Sequence, residues 1–435
     1  MYKGTVAFYT LGCKVNSFDT EAMAELFEKA GYDVVSFDGV ADVYVVNTCT
    51  VTHLGDRKSR NMLRRARRHN PGATIVAAGC YAQVAPEEVA AIPEVDLIIG
   101  TQDRLGIVEM VEGFCREEGQ YSAVHDNSRN RNFEELTVSE NRSHTRAFLK
   151  VQEGCDQFCT YCIVPYARGR VRSRSLDSVV AEVSRLVDAG FLEMVLTGIH
   201  IASYGKDMDG DMDLLKLIQA VATVPGVRRI RLGSLEPLIL SENFVQELSK
   251  IESFCPHFHL SLQSGSDTVL GRMHRRYTTT EYKEIVERIR RFFDYPAITT
   301  DIMVGFPGET EAEFEETLAF VKAIEFYQVH VFKYSRRQGT PAADMADQIP
   351  EDVKTRRSQG LIALAKVLED DFLKANHGRR LEVLFERLTK DGVMEGHTDN
   401  YLPVKMMGSQ NNCGKIVPVE VSYTDKVLFM GANPV

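Results

Sequence analysis

RAFLKVQEGCDQFCTYCIVPY, residues 146–166, joins a β-type apolar run to three thiols within eight positions, Cys155, Cys159 and Cys162. Five more such runs follow downstream: EMVLTG, RRIRLG, HFHLSL, ITTDIMVG and QVHVFKY, with helical patterns between them. Alternation of strand and helix predicts parallel strands covered by helices. Six units in roughly 230 residues predict an incomplete version of the eight-unit barrel, a (β/α)6 arc. Its last helical pattern opens at Pro350 with acidic residues and runs to Gly378.

Working outward, the N-terminal segment repeats the alternation with TVAFYT, DVYVVNT and TIVAAG as buried strands. This predicts a doubly wound parallel sheet. A long arginine-rich helix lies between the last two strands, with Leu54, Met62, Leu63 and Ala66 as its apolar side. QYSAVHDNSRNRNFEELTVSENRSHT, residues 120–145, is polar and aperiodic and reads as a linker. Beyond the arc, RRLEVLFE, GVMEGHTD, YLPVKMM, KIVPVEVSY and KVLFMG are short β runs separated by turns. They predict a small antiparallel β-barrel of OB-like size. The domains expected are 1–120, a linker 121–145, 146–374 and 375–435. The fold class expected is α/β with a terminal β module.

A chain of 435 residues exceeds one core, and 44% hydrophobic with 26% charged residues is the composition of a globular protein. The first residues lack a signal-peptide pattern, and no stretch reaches the ~20 apolar residues that span a bilayer. A cytoplasmic protein with no membrane partner is expected. Nine cysteines are too thinly spread for a secreted disulfide scaffold. Net charge is −10, yet basic residues cluster, seven in RKSRNMLRRARRH (57–69) and four in RGRVRSR (168–174). Such clusters can neutralise a nucleic-acid backbone. A solvated helix face is the plainer alternative.

Spacing C-x₃-C-x₂-C supplies three ligands where clusters and zinc sites usually take four. Three thiolates can hold three irons of a 4Fe–4S cubane and leave the fourth open to a small bidentate ligand. A zinc knuckle completed by His144 or His200 is the structural alternative. Cys13, Cys49 and Cys80 each follow a predicted strand, in TLGC, VVNTC and VAAGC. In an open parallel sheet the carboxyl ends share one edge, so these thiols should converge on a second three-thiolate site. Cys115, Cys255 and Cys413 have no comparable partners and read as packing residues. TGIH, RLGSLEP, LQSGSD and VGFPGET also follow strands, where Gly198, Gly265, Gly305 and Gly308 permit close approach of backbone to ligand. No phosphate-binding or dinucleotide glycine motif is present.

The cysteine triplet, with Tyr161 before its last thiol, resembles the radical S-adenosylmethionine superfamily. LGCKVNSFDTE, NTCTVTHLGDRKSR and AAGCYAQ resemble the segments of its methylthiotransferase family. GCKVNSFDTE with TCTVTHLGDRKSR is similar to the MtaB branch, which acts on N6-threonylcarbamoyladenosine at position 37 of tRNA, next to the anticodon. The isopentenyladenosine branch usually carries Gln-Met-Asn where this chain has Lys14-Val15-Asn16. The resemblance implies methylthiolation at C2 of the base, using S-adenosylmethionine and two 4Fe–4S clusters. Its three parts would be a cluster domain, a radical barrel and a TRAM RNA-binding barrel.

Residues follow from the same resemblance. Cys155, Cys159 and Cys162 would hold the radical cluster, and Cys13, Cys49 and Cys80 the auxiliary one. Tyr161, Gly198, Arg231, Ser234, Gln263 and Gly305 would contact S-adenosylmethionine. Arg57, Lys58, Arg60, Arg64, Arg65, Arg67, Arg68, Arg168, Arg170 and Arg172 would contact RNA. Implied partners are ANN-decoding tRNA, a reductant such as flavodoxin or ferredoxin, and a sulfur source. Alternatives within the family act on isopentenyladenosine or on a ribosomal-protein aspartate. From other classes, an electron carrier would need four-thiolate clusters, and an iron–sulfur RNA-binding protein would not need the barrel.

Overall fold

The computed structural model describes residues 2–138, 145–424 and 427–430. Six strands build the N-terminal sheet: β1 (Gly4–Thr10), β2 (Tyr32–Val35), β3 (Val43–Thr48), β4 (Thr74–Gly79), β5 (Leu97–Ile99) and β6 (Tyr121–Ala123). Their order is β2-β1-β3-β4-β5-β6, and every pairing is parallel. Side chains alternate between two apolar layers. Val45, Val76 and Leu97 pack with Met23 and Phe27, which belong to helix α1 (Lys14–Ala30). Val46, Ile75 and Ile98 pack with Leu63 and Ala66, which belong to helix α2 (His53–His69). Helices on both faces make the sheet doubly wound.

Strands β2, β5 and β6 have four, three and three residues, too short for a period-2 pattern to mark them. β6 therefore occupies the start of the expected linker. The rest of that segment is packed as well: Leu136 and Val138 are buried against Phe18 and Ala22 of α1. Asn127 is buried and donates to the Ala167 carbonyl at 2.8 Å. The apolar side of α2 also differs from expectation. Asp56, Ser59, Leu63 and Ala66 are its buried residues, whereas Leu54 is exposed. Leu54 lies off that stripe of three- and four-residue steps, and Asp56 tolerates burial because it pairs with Arg337 at 2.6 Å.

Residues 147–333 supply β7 (Ala147–Glu153), β8 (Arg172–Ser173), β9 (Glu193–Gly198), β10 (Arg229–Leu232), β11 (His257–His259), β12 (Ala297–Val304) and β13 (Gln328–Lys333). They form two sheets, β10-β9-β7-β8 and β11-β12-β13, parallel except for the β7/β8 pair. Isolated bridges Ile230–Phe254 and Leu235–Leu260 link β10 to the β11 segment. Leu149, Val151, Leu196, Ile230 and Phe258 face a single large core beneath the surrounding helices.

The C-terminal strands are β14 (Arg380–Leu388), β15 (Val393–Thr398), β16 (Pro403–Met407), β17 (Ile416–Thr424) and β18 (Val427–Met430). They close in the order β14-β15-β16-β18-β17. Four pairings are antiparallel, as expected of this module, and β16 and β18 run parallel. The reason is parity: five strands in a ring cannot all oppose both neighbours. This module docks through Arg229, which donates to the carbonyls of His397 (3.1 Å) and Glu382 (2.6 Å).

Candidate functional site

Cys49 and Cys80 stand directly after β3 and β4, and Cys13 stands three positions past the end of β1, on three neighbouring strands. Adjacent strands lie about 4.8 Å apart, so a gap of 35 or 30 residues in sequence becomes one strand spacing in space. The order β2-β1-β3 reverses at β1, and Cys13 and Cys49 flank that switch point, where open sheets bind ligands. Gly12 has φ +108°, and a Cβ there would sit 3.2 Å from Cys49 Sγ. Only glycine allows this approach. Asn16 clamps the turn by donating to the carbonyls of Leu11 (2.6 Å) and Thr48 (3.1 Å).

Behind Cys80 lies a buried ion network that crosses from one domain to the other. Arg168 is fully buried and donates from Nε to Cys80 Sγ at 3.2 Å. Its Nη1 reaches Asp19 of α1 at 2.9 Å and Glu153 of β7 at 3.2 Å, and its Nη2 bonds Asn16. Lys150 joins Asp19 at 2.6 Å and Glu153 at 3.2 Å, and Arg104 also pairs with Asp19. Burial alone would raise the carboxyl of Glu153, yet Arg168 and Lys150 hold it below the usual carboxylate range.

The second thiol set hangs from the end of β7. Gly154 has φ +74°, and a side chain there would collide with the Arg170 carbonyl, so the turn into Cys155 requires glycine. The loop is tied by Cys155 N–H to the Gly169 carbonyl (3.0 Å) and Cys162 N–H to the Cys159 carbonyl (2.9 Å). Arg275 donates to Cys159 Sγ at 3.4 Å and pairs with Glu236 at 2.8 Å. Burial pushes the thiols up, to about 11 for Cys80 and Cys155 and about 12 for Cys162. Such thiols are poor nucleophiles. Three thiols, one of them bonded by an arginine and none in a disulfide, are a donor set suited to a metal that displaces the thiol protons.

A single zinc ion fits less well. Four sulfur or nitrogen donors on one zinc tetrahedron lie about 4 Å apart. Among the described residues, neither thiol triad brings its donors within 4.8 Å of one another, and no histidine joins them. His200 directs Nδ1 to Ser203 (2.8 Å) and Nε2 towards Glu236 (3.7 Å). His144 lies outside the described residues.

Beside Cys13, at the ends of the neighbouring strands, is a cavity of about 460 Å³. Cys13 and Lys14 enter it from the N-terminal sheet, Gly198 and Ser234 from the ends of β9 and β10, and Tyr401 from the C-terminal barrel. Tyr161, by contrast, is half-buried near Arg275 and packs near Phe306 and Tyr334. Gln263 has φ +71°, and its backbone is bonded to Asp301 (2.8 Å) and Met303 (2.9 Å). Two of the expected cofactor residues have partners within the protein. Arg231 is committed to Glu193 (2.7 Å), the Asp399 carbonyl (2.8 Å) and the ring of Tyr401. Gly305 makes a turn with φ +74°, its N–H donates to Glu309 (2.6 Å), and a Cβ there would strike Lys354.

The basic residues also divide. Arg57, Lys58, Arg64 and Arg68 are exposed along α2. Arg60 donates to the Tyr81 hydroxyl (2.9 Å) and Arg65 pairs with Asp38 (2.6 Å). Arg67 is an anchor, bonded to Asp96 (2.7 Å) and to the carbonyls of Pro71, Ala73 and Glu94. Arg170 pairs with Asp156 (3.3 Å) at the surface. Arg168 and Arg172 are buried, so the expectation that they touch RNA fails. The acids around Arg168 come from distant segments, which a local charge run does not reveal. Sequence reasoning misses Arg275, Glu236 and His257: nothing in their own segments distinguishes them, except the alternation His257-x-His259 on β11.

Residues 5–100 match the uncharacterized protein family UPF0004, and residues 149–321 match the Radical SAM superfamily. The chain is 44% identical over 422 residues to the threonylcarbamoyladenosine tRNA methylthiotransferase MtaB of Bacillus subtilis (strain 168), covering 96% of this chain and 93% of that protein. It is 35% identical over 430 residues to the tRNA-2-methylthio-N(6)-dimethylallyladenosine synthase of Clostridium tetani, covering 97% and 94%. Among solved structures, the radical S-adenosylmethionine methyltransferase TsrM from Kitasatospora setae superposes with a TM-score of 0.56 at 16% identity, over 78% of this chain and 75% of that one. At that identity the likeness is one of fold.

Proposed function

This chain belongs to the radical S-adenosylmethionine methylthiotransferase family, and from that premise we propose that it methylthiolates C2 of N6-threonylcarbamoyladenosine at position 37 of tRNA. Enzymes of this family use S-adenosylmethionine and carry two 4Fe–4S clusters. The substrate reading is supported by the higher identity to MtaB proteins, 44% and 40%, than to the dimethylallyladenosine synthases, 35% and 36%.

One observation carries the reading: a single cavity is walled by Cys13 from one domain and by the strand ends of the other. In this reading Cys155, Cys159 and Cys162 hold one cluster, and Cys13, Cys49 and Cys80 hold the other. Together with the cofactor these supply radical chemistry able to act on an aromatic C–H that no side-chain base could deprotonate. The chain's own residues supply placement. Arg168 and Asp19 fasten the two thiol sets to one buried network, so their separation stays constant. Gly198 and Ser234 keep the mouth of the arc open to the cofactor and the base. A base reaches such a cavity only when unstacked, as in an anticodon loop. The exposed cations of α2 and the C-terminal barrel are proposed to hold that loop, with an external reductant and sulfur source completing the reaction.

The test is reconstituted enzyme given reductant, S-adenosylmethionine and sulfide, with threonylcarbamoyladenosine- and isopentenyladenosine-bearing tRNA in competition. Nucleoside mass spectrometry should find the 2-methylthio group on the first. Preferential modification of the second would move the chain to the other branch.

A further inference from the structure

Lys14 is the residue immediately after Cys13, and the turn that carries it is pinned by the two Asn16 bonds and by Ser17 N–H to the Cys13 carbonyl (3.1 Å). Its side chain lines the cavity shared by the two domains. Arg146 and Arg231 are its charged neighbours, with Glu193 and the ring of Tyr401. Among the described residues, no carboxylate comes within ion-pair distance, 4.0 Å, of its ammonium. The two glutamates nearby already have cations of their own, Glu193 from Arg231 at 2.7 Å and Glu386 from Arg146 at 3.2 Å, and Asp301 lies 3.2 Å from a ring nitrogen of His259.

A second polar group faces the same space. His257 lines the cavity, is 6% exposed, and its Nδ1 has no partner. Its Nε2 is 3.4 Å from the Thr299 hydroxyl. A buried polar atom left open is costly unless something pairs with it. An exposed ammonium with no carboxylate partner, near a histidine whose buried Nδ1 is unpaired, describes the complement of an anion with a hydrogen-bonding group beside it.

We propose that Lys14 is a specificity-determining residue that receives the carboxylate of the N6 substituent on the substrate adenosine, with His257 bonding a polar atom next to it. This rests on reading the cavity as the substrate chamber. A carboxylate placed there gains a charge-assisted bond. A hydrocarbon substituent leaves Lys14 as unpaired as before and gains nothing from it. Polar sites of this kind discriminate against analogues that lack the matching group far more strongly than apolar pockets discriminate by size.

The experiment uses cluster-loaded protein and anticodon stem-loops without S-adenosylmethionine, so that the cofactor's own carboxylate takes no part. One stem-loop carries N6-threonylcarbamoyladenosine, the other its methyl ester. Wild type should bind the acid at least about tenfold tighter than the ester, Lys14→Arg should keep most of that ratio, and Lys14→Met should bring it close to one. Lys14→Gln repeats the test if the Met variant loads poorly. Retention of the full ratio in the Met and Gln variants overturns the role of Lys14 and leaves the substrate reading standing. Failure of wild type to bind or modify the acid stem-loop, with modification of the isopentenyl one, overturns the substrate reading and this proposal with it.

Discussion

Arg168, from the helix that follows the cysteine triplet, donates its Nε to the Sγ of Cys80, from the other domain, across 3.2 Å. The same guanidinium bonds Asp19 and Glu153, so one side chain ties a thiol of the N-terminal sheet to the strand that launches the second thiol set. Hydrogen bonds and positive charge at a ligand sulfur stabilise the more reduced, more negative state of a cluster. Arg168→Lys keeps the charge and loses the fork. On a Cys155→Ala, Cys159→Ala, Cys162→Ala background, which isolates the auxiliary cluster, this variant should show a lower reduction potential by spectroscopically monitored titration. An unchanged potential would confine Arg168 to holding the domains together. Arg168→Ala breaks a fully buried pair and should destabilise the fold by about 3 kcal/mol or more.

The two thiol sets should separate by function. Replacing Cys155, Cys159 and Cys162 by Ala should abolish 5′-deoxyadenosine formation while about four irons per chain remain. Replacing Cys13, Cys49 and Cys80 should preserve 5′-deoxyadenosine formation, also with about four irons, and abolish methylthiolation. Iron and sulfide quantitation with product analysis checks both. Cofactor cleavage by the first variant would refute the assignment of the triplet.

Much of this arrangement is legible in sequence, for a physical reason. Parallel strands bring their carboxyl ends to one edge, so cysteines placed after TVAFYT, VVNT and VAAG must meet whatever lies between them. Arg168 illustrates what is not legible. In sequence it belongs to a run of arginines, and its partner Asp19 stands 149 positions away, so its burial emerges only when the domains dock. Arg231 is similar, since besides Glu193 its acceptors come from residues 398–399 of the last module. Lys14 is visible as part of a motif, but its want of a counter-ion depends on Glu193 being already taken by Arg231. Strands of three residues carry no period to read.

A pH effect follows from Glu313, which caps the helix Glu311–Ile324 together with Thr310. The Arg272 side chain donates to it, with Thr268 and the Thr310 N–H adding to the effect and desolvation opposing it, and its carboxyl falls from 4.5 to about 2. A depressed carboxyl contributes stability that is present in full above 4.5 and is lost as pH falls through about 2. Glu313→Gln should therefore unfold at lower urea than wild type at pH 7, with the gap closing as pH drops below 4.5. Circular dichroism of the apo-protein follows this, and a gap independent of pH would contradict the cap as an ionic one.

The basic helix offers the sharpest contrast between charge that binds and charge that builds. Arg57, Lys58, Arg64 and Arg68 are exposed, whereas Arg67 is fastened to Asp96 and three carbonyls. Binding to phosphates releases counterions, and each phosphate neutralised adds about one unit to the slope of log affinity against log salt. Replacing the four exposed residues by Ala should weaken tRNA binding and flatten that slope by about one unit for every phosphate no longer neutralised. Replacing Arg67 should leave the slope in place and lower the melting temperature, because it removes an anchor of α2 rather than a cation free to meet a phosphate. α2 starts four residues beyond Cys49, and Arg337 grips its Asp56 at 2.6 Å and, just before it, Thr50 at 2.6 Å. An unchanged slope in the four-residue variant would make α2 a solvated face and move the RNA-binding surface to the C-terminal barrel.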